Sequence, residues 1–157
     1  MTLKDYHFRY EEYASLEELN SEDRELACAA KDALKGSYAP YSKFNVGAAV
    51  RLDDGTIVKG SNQENAAFPS GLCAERTAMF SASANFPDRI MVSIAIAAGR
   101  DGSLTPEPAT PCGACRQVMA EYQTKGKTPL SIILVGADKV LKFSRVDDIL
   151  PFIFDLL

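Results

Sequence analysis

Two helix starts that carry metal-binding side chains constrain this chain more than any other feature. Cys73-Ala74-Glu75-Arg76 puts a thiol, a carboxylate and a cation where one helix begins. Pro111-Cys112-Gly113-Ala114-Cys115-Arg116 opens a second helix, with two thiols at the spacing that lets both reach one ion. Three thiols and one carboxylate then converge on a single place. Unpaired N–H groups and the positive end of the helix dipole favour thiolates there, the form that a metal needs.

The rest of the chain supplies the layers that bring these starts together. Leu3 to Tyr13 alternates aromatics with charges, a period of two that predicts a short edge strand. Asn20 or Ser21, followed by Glu22 and Asp23, starts a helix. Leu26, Ala29, Ala30, Ala33 and Leu34 line its inner face, Gly36 ends it, and Cys28 reads as a small core residue on it. Ser37 to Ser42 is a loop. Phe44 to Leu52 and Thr56 to Gly60 form a hairpin about Asp53-Asp54-Gly55, with Gly47 allowing a close approach.

Ser61-Asn62-Gln63-Glu64-Asn65 is polar, and on composition alone a solvated loop and a binding segment are equally good readings. The helix from Cys73 extends to about Ala84, and the apolar run from Arg89 to Ala98 is a strand buried on both faces. Gly99 to Thr110 reads as a surface loop, Cys112 to Tyr122 as a helix, and Leu130 to Val135 and Val140 to Phe143 as strands. Asp147-Asp148 opens a last helical turn. Strands alternating with helices predict an α/β fold, a three-layer αβα sandwich on a mixed sheet. The apolar end, Leu150 to Leu157, requires cover from its own body or from a neighbouring subunit.

At 157 residues the chain is of single-domain size. Its net charge of −4 with scattered lysines argues against nucleic acid as partner, and no stretch is apolar enough to span a membrane. Met1 to Tyr13 lacks the apolar core of a signal peptide, so the expected location is the cytoplasm. In that compartment four cysteines point to metal ligation or packing before disulfides. The one histidine, His7, sits among charges and reads as a surface residue.

Zinc in catalytic sites keeps three protein ligands and a water, and three thiols leave that fourth position open. Three thiolates on a divalent ion form a negative cluster that weakens its pull on water. Arg76 and Arg116 are placed to offset this by hydrogen-bonding the sulfurs. Glu75, two residues past Cys73, can lie over the open position and move protons between a bound water and a substrate. A thioredoxin-like redox pair needs no third thiol, and a structural zinc site would need a fourth ligand that only Cys28 could offer.

In these elements the chain resembles the small homotetrameric cytidine deaminases from about Ser21 to Phe154. The resemblance is carried by Tyr41-Ser42-Lys43-Phe44 with Val46-Gly47-Ala48-Ala49, by Asn62 to Ala67, by Cys73 to Ala78, by Pro111 to Gln117, and by Leu150-Pro151 before Phe154. It implies one zinc ion per subunit on Cys73, Cys112 and Cys115, with Glu75 as proton shuttle. The reaction implied is hydrolysis of cytidine or deoxycytidine to the uridine and ammonia, in pyrimidine salvage. Asn62 and Glu64 match the family's ribose contacts, Phe44 the aromatic packed on the base, and the backbone at Ala74 a base contact. Phe154 matches a phenylalanine that a neighbouring subunit lends to the site, which implies a homotetramer.

Phe68 stands where many members carry a tyrosine, residues 1–20 look additional, and Asp155 to Leu157 extend past the stacking phenylalanine. The similar blasticidin-S deaminases share the zinc half, but Asn62-Gln63-Glu64-Asn65 favours plain cytidine. A polynucleotide deaminase is disfavoured by the acidic balance. A zinc-stabilised binding module would have no need of Glu75.

Overall fold

The computed structural model describes residues 1–156; Leu157, the last residue of the apolar end, lies outside them. In chain order the elements are β1 (Glu11–Tyr13), α1 (Ser21–Ala33), β2 (Asn45–Leu52), β3 (Ile57–Ser61), α2 (Ala74–Asn85), β4 (Met91–Arg100), β5 (Ser103–Leu104), α3 (Gly113–Gly126), β6 (Ser131–Val135) and β7 (Val140–Phe143). The strands form one mixed sheet in the order β1-β7-β6-β4-β2-β3, with β5 added to β4. Among the described strands only β4 and β6 pair in parallel, and the other strand pairings are antiparallel.

Side chains alternate across the sheet, so each strand feeds two cores. Val50, Leu52, Ile94, Ile96, Ile132 and Leu134 face α2 and α3, meeting Ala78, Met79 and Met119. Ala49, Ala95, Ala97, Ile133 and Val135 face α1 and meet Leu26, Ala27 and Ala30. Each buried Ile, Leu or Met contributes about 1.5–3 kcal/mol through the water it sheds. The expected three-layer αβα sandwich is therefore what forms. The small residues opposite α1 let that helix lie close: a Cβ on Gly47 would come within 2.2 Å of the Ala30 carbonyl oxygen.

The topology explains how the two helix starts meet. β2 is antiparallel to both β3 and β4, so β3 and β4 run the same way, and α2 and α3 each begin where one of these strands ends. Both helix N-termini therefore emerge at one edge of the sheet, on the same face. Gly60 holds α2 against β3, because an added Cβ would stand 2.3 Å from the Ala78 nitrogen and 2.7 Å from the Ala74 carbonyl oxygen. Gly60→Ala is expected to cost about 1–3 kcal/mol through overpacking. The measurement is a fall in the urea midpoint at constant slope.

Three expectations need correction. Cys28 is exposed, because the inward stripe of α1 is Leu26, Ala27, Ala30 and Ala33, and one residue past Ala27 the helix has turned by about 100° to solvent. The first strand is shorter than its alternating pattern: only Glu11–Tyr13 pair with β7, while the ring of Tyr10 lies 5.6 Å from that of Phe143. Gly99 to Thr110 is not all loop. β4 continues to Arg100 and returns as β5 through Asp101-Gly102, both at positive φ, as the two-residue hairpin turn requires. His7 lies at the surface, as expected.

Candidate active site

Cys73 and Cys112 occupy the N-cap positions of α2 and α3, where Ser, Thr, Asp or Asn usually stand. Neither cysteine makes a side-chain cap hydrogen bond, so capping has been given up to leave the sulfurs free. Cys115 follows one turn into α3 and is fully buried. The three Sγ atoms lie within 4.8 Å of one another, with Cys112 and Cys115 3.5 Å apart and unbridged. A tetrahedral zinc with bonds of about 2.3 Å requires sulfurs about 3.8 Å apart, so this donor set fits that ion in both spacing and chemistry.

The charges around the sulfurs are already arranged for a thiolate. A hydrogen bond from Cys115 holds the Cys73 thiol down to about 5, with Arg76 adding to the effect against burial. The same bond, together with burial, pushes the Cys115 thiol up. Arg76 Nη2 lies 3.4 Å from Cys73 Sγ, three residues along the helix and so on the same side. Arg116 does not play the expected part: its Nε donates to the Pro111 carbonyl and its Nη1 to the Ile149 carbonyl, both at 2.8 Å. Carbonyl oxygens are far better acceptors than thiols, and two lie in reach.

Glu75 is 5% exposed beside the sulfurs. Burial raises its pKa, and the neighbouring Cys73 charge raises it further. A carboxyl moved toward neutrality can both take and return a proton. The N–H groups of Ala74 to Arg76 belong to the first turn of α2 and have no intrahelical partner.

Above this floor opens a cleft of about 780 Å³, large enough for a nucleoside. Cys73, Ala74, Glu75, Arg76 and Cys112 line its base; Phe44, Asn62 and Glu64 line its wall. The Asn62 amide accepts from the Val46 N–H and donates to the Phe44 carbonyl, which leaves one amide N–H unengaged. One Glu64 carboxylate oxygen accepts from the backbone N–H groups of Tyr41 and Ser42. A hydrogen bond from Ser42 and these N–H groups hold the Glu64 pKa below the usual carboxylate range. Of the polar segment, Ser61 ends β3, and Asn62 to Asn65 line the cleft with Gln63 and Asn65 exposed.

Phe154 stands apart from the cleft, with 72% of its surface exposed. Its backbone N–H and carbonyl are both held by the side-chain amide of Gln117 on α3. The apolar end thus does not bury its rings in its own body: Phe152 and Leu156 are exposed as well. Arg100 was overlooked in sequence. It lines the cleft, with its guanidinium 5.1 Å from the Phe44 ring centre. The Asp101-Gly102 turn signal after an apolar run was the clue to its position.

Comparison with known proteins agrees with this geometry. The family described as the cytidine and deoxycytidylate deaminase zinc-binding region matches residues 20–128. The chain is 40% identical to a cytidine deaminase of Sporosarcina psychrophila over 82% of its own length and 88% of that protein. It is 49% identical to the cytidine deaminase of Halalkalibacterium halodurans, over 59% of this chain and 65% of that one. Among solved structures, the cytidine deaminase of Burkholderia pseudomallei superimposes with a TM-score of 0.69 at 41% identity, covering 83% of this chain and 97% of that one. The Mycobacterium tuberculosis enzyme also gives 0.69, at 34% identity, over 87% and 100% of the two chains. A match over most of the chain, joined to a donor set built for zinc, places this protein in the cytidine and deoxycytidylate deaminase family, with zinc as its cofactor.

Proposed function

We propose that this chain is a single deaminase domain that hydrolyses cytidine and deoxycytidine to uridine and deoxyuridine with release of ammonia, a step of pyrimidine salvage in the cytoplasm. One observation carries the reading: a buried carboxyl with a raised pKa sits beside a three-thiol cluster at the floor of a nucleoside-sized cleft. Cys73, Cys112 and Cys115 would hold the ion. When bound, zinc supplies Lewis-acid chemistry that makes hydroxide available near neutral pH.

The chain's own groups do the remaining work. Glu75 accepts the proton that water gives up and delivers it to the ring nitrogen N3, then takes the proton of the hydroxyl added at C4 and hands it to the amino nitrogen as the C4–N bond breaks. Ammonia leaves and the oxygen stays on C4. The backbone N–H of Ala74 receives the carbonyl of the base. Phe44 packs on the ring, and Asn62 and Glu64 offer an N–H and a carboxylate to sugar hydroxyls. Arg76 restrains the charge on Cys73.

The test is ultraviolet loss of cytidine, or ammonia release, by the zinc-loaded protein. Turnover is expected. A protein with zinc confirmed bound and no turnover on cytidine or deoxycytidine would favour a modified aminopyrimidine nucleoside instead.

The exposed rings of Phe152 and Phe154 support a homotetramer in which Phe154 completes a neighbour's cleft. Phe154→Ala is then expected to raise KM for cytidine roughly 5- to 150-fold while zinc content stays unchanged, since losing a buried aromatic contact costs about 1–3 kcal/mol. Steady-state kinetics with parallel zinc analysis decides; unaltered KM removes Phe154 from the site.

A further inference from the structure

The register of β2 against β4 carries the chain's functional part further than either strand alone. Asn45 pairs with Gly99, the last pair of that ladder, so the next positions in register are Phe44 and Arg100. On the other side of Gly99, Leu104 of β5 pairs with it, and the hairpin through Asp101-Gly102 fixes where Arg100 leaves the sheet. The Arg100 guanidinium sits 5.1 Å from the centre of the Phe44 ring, and its Nη1 donates to the Ser42 carbonyl at 3.1 Å. Both residues line the cleft.

The segment that Arg100 grips is held from several sides. Lys43 has a φ of 57°, a left-handed conformation that a lysine adopts only under constraint. The Glu64 carboxylate takes the N–H groups of Tyr41 and Ser42, the Ser42 hydroxyl takes the N–H of Phe44, and Arg100 takes the carbonyl of Ser42. Arg100, besides this grip, also contacts the Phe44 ring. With a cation over one face, the ring cannot swing toward that side without losing both a cation–π contact and a charge-assisted hydrogen bond.

We propose that Arg100 is a positioning residue for the deamination reaction, holding the Phe44 ring and the Ser42 carbonyl where the pyrimidine is received, so that the β4–β5 hairpin sets substrate affinity. The proposal rests on the reading of Phe44 as the aromatic packed on the base. Arg100 touches neither the sulfurs nor Glu75 in any of its contacts, so its effect belongs to binding and not to proton transfer. A lysine keeps the charge but loses the planar stacking and the fork of donors, and should restore only part of the function.

The experiment is a double-mutant cycle on the zinc-loaded protein with cytidine as substrate. Arg100→Ala is expected to raise KM roughly 5- to 50-fold with kcat changed less than about twofold, and Arg100→Lys to fall between. In a Phe44→Leu background, Arg100→Ala should add less than about twofold, because the residue acts through the ring already removed. Equal effects of Arg100→Ala in both backgrounds overturn the positioning role while leaving Phe44 in place. Phe44→Leu with unaltered KM overturns the reading of Phe44 itself. Cytidine kinetics untouched by Arg100→Ala, with loss confined to deoxycytidine 5′-monophosphate, reassign the guanidinium to a phosphate and likewise overturn the proposal.

Discussion

Glutamine in place of Glu75 is expected to lower kcat for cytidine by about 10²–10⁴-fold, the range that general acid–base groups supply, with zinc content at the parent value. The amide keeps the shape of the buried side chain but cannot carry a proton between water, ring nitrogen and leaving amine. The same substitution has an opposite effect on stability in the zinc-free protein. Burial raises the Glu75 pKa in the folded state, so between the ordinary glutamate pKa of 4.5 and that raised value the folded chain binds more protons than the unfolded one. Stability therefore falls as pH climbs through this window, whereas glutamine does not titrate. Zinc-free Glu75→Gln should melt higher than the zinc-free parent at pH 7, and the gap should close as pH is lowered to 4. Thermal melts at the two pH values check this alongside the kinetics; a near-parental rate removes Glu75 from the mechanism.

Cys115→Ser carries the other large effect, the loss of bound zinc and of activity with it. Serine is a hard, neutral oxygen donor in a position that asks for thiolate, and thiolate ligands account for much of zinc's affinity. The site is also the one fully buried sulfur of the three. Zinc per chain is expected to fall below about one tenth of the parent after dialysis, with turnover falling in proportion. Retained zinc with full activity would exclude Cys115 as a ligand.

The sequence made much of the site legible because its signals are local. Cys73 and Cys112 announce themselves by sitting at helix starts, and Gly47 by interrupting a strand where a helix must come close. What was misread depends on direction or on long-range competition. Cys28 lies within an apolar stretch, but a turn of about 100° per residue decides which neighbour points inward, and Ala27 took the place. Arg116 stands next to a ligand in sequence, yet its donors go to carbonyls from residues 111 and 149, the second of which no local pattern could reveal. Arg100 acquires its meaning only from a register that places it across from Phe44. The rings of the C-terminal segment were expected to need cover, and those of Phe152 and Phe154 are exposed in the single chain.

The first turn of α3 carries two kinds of load. Cys112 and Cys115 face the metal, while Arg116 holds the Ile149 carbonyl and Gln117 clamps Phe154 by both its N–H and its carbonyl. Such a clamp imitates the partner strand that the tail does not have, and it fixes the direction in which the ring of Phe154 leaves the surface. Ordering of this stretch of the tail is thereby met within the chain itself, and in the proposed homotetramer a neighbour that receives the ring need not meet that entropy cost again. One helical turn thus carries both the sulfurs of the zinc-fitting donor set and the anchor of the tail, so a change that disturbs that turn is felt at both places.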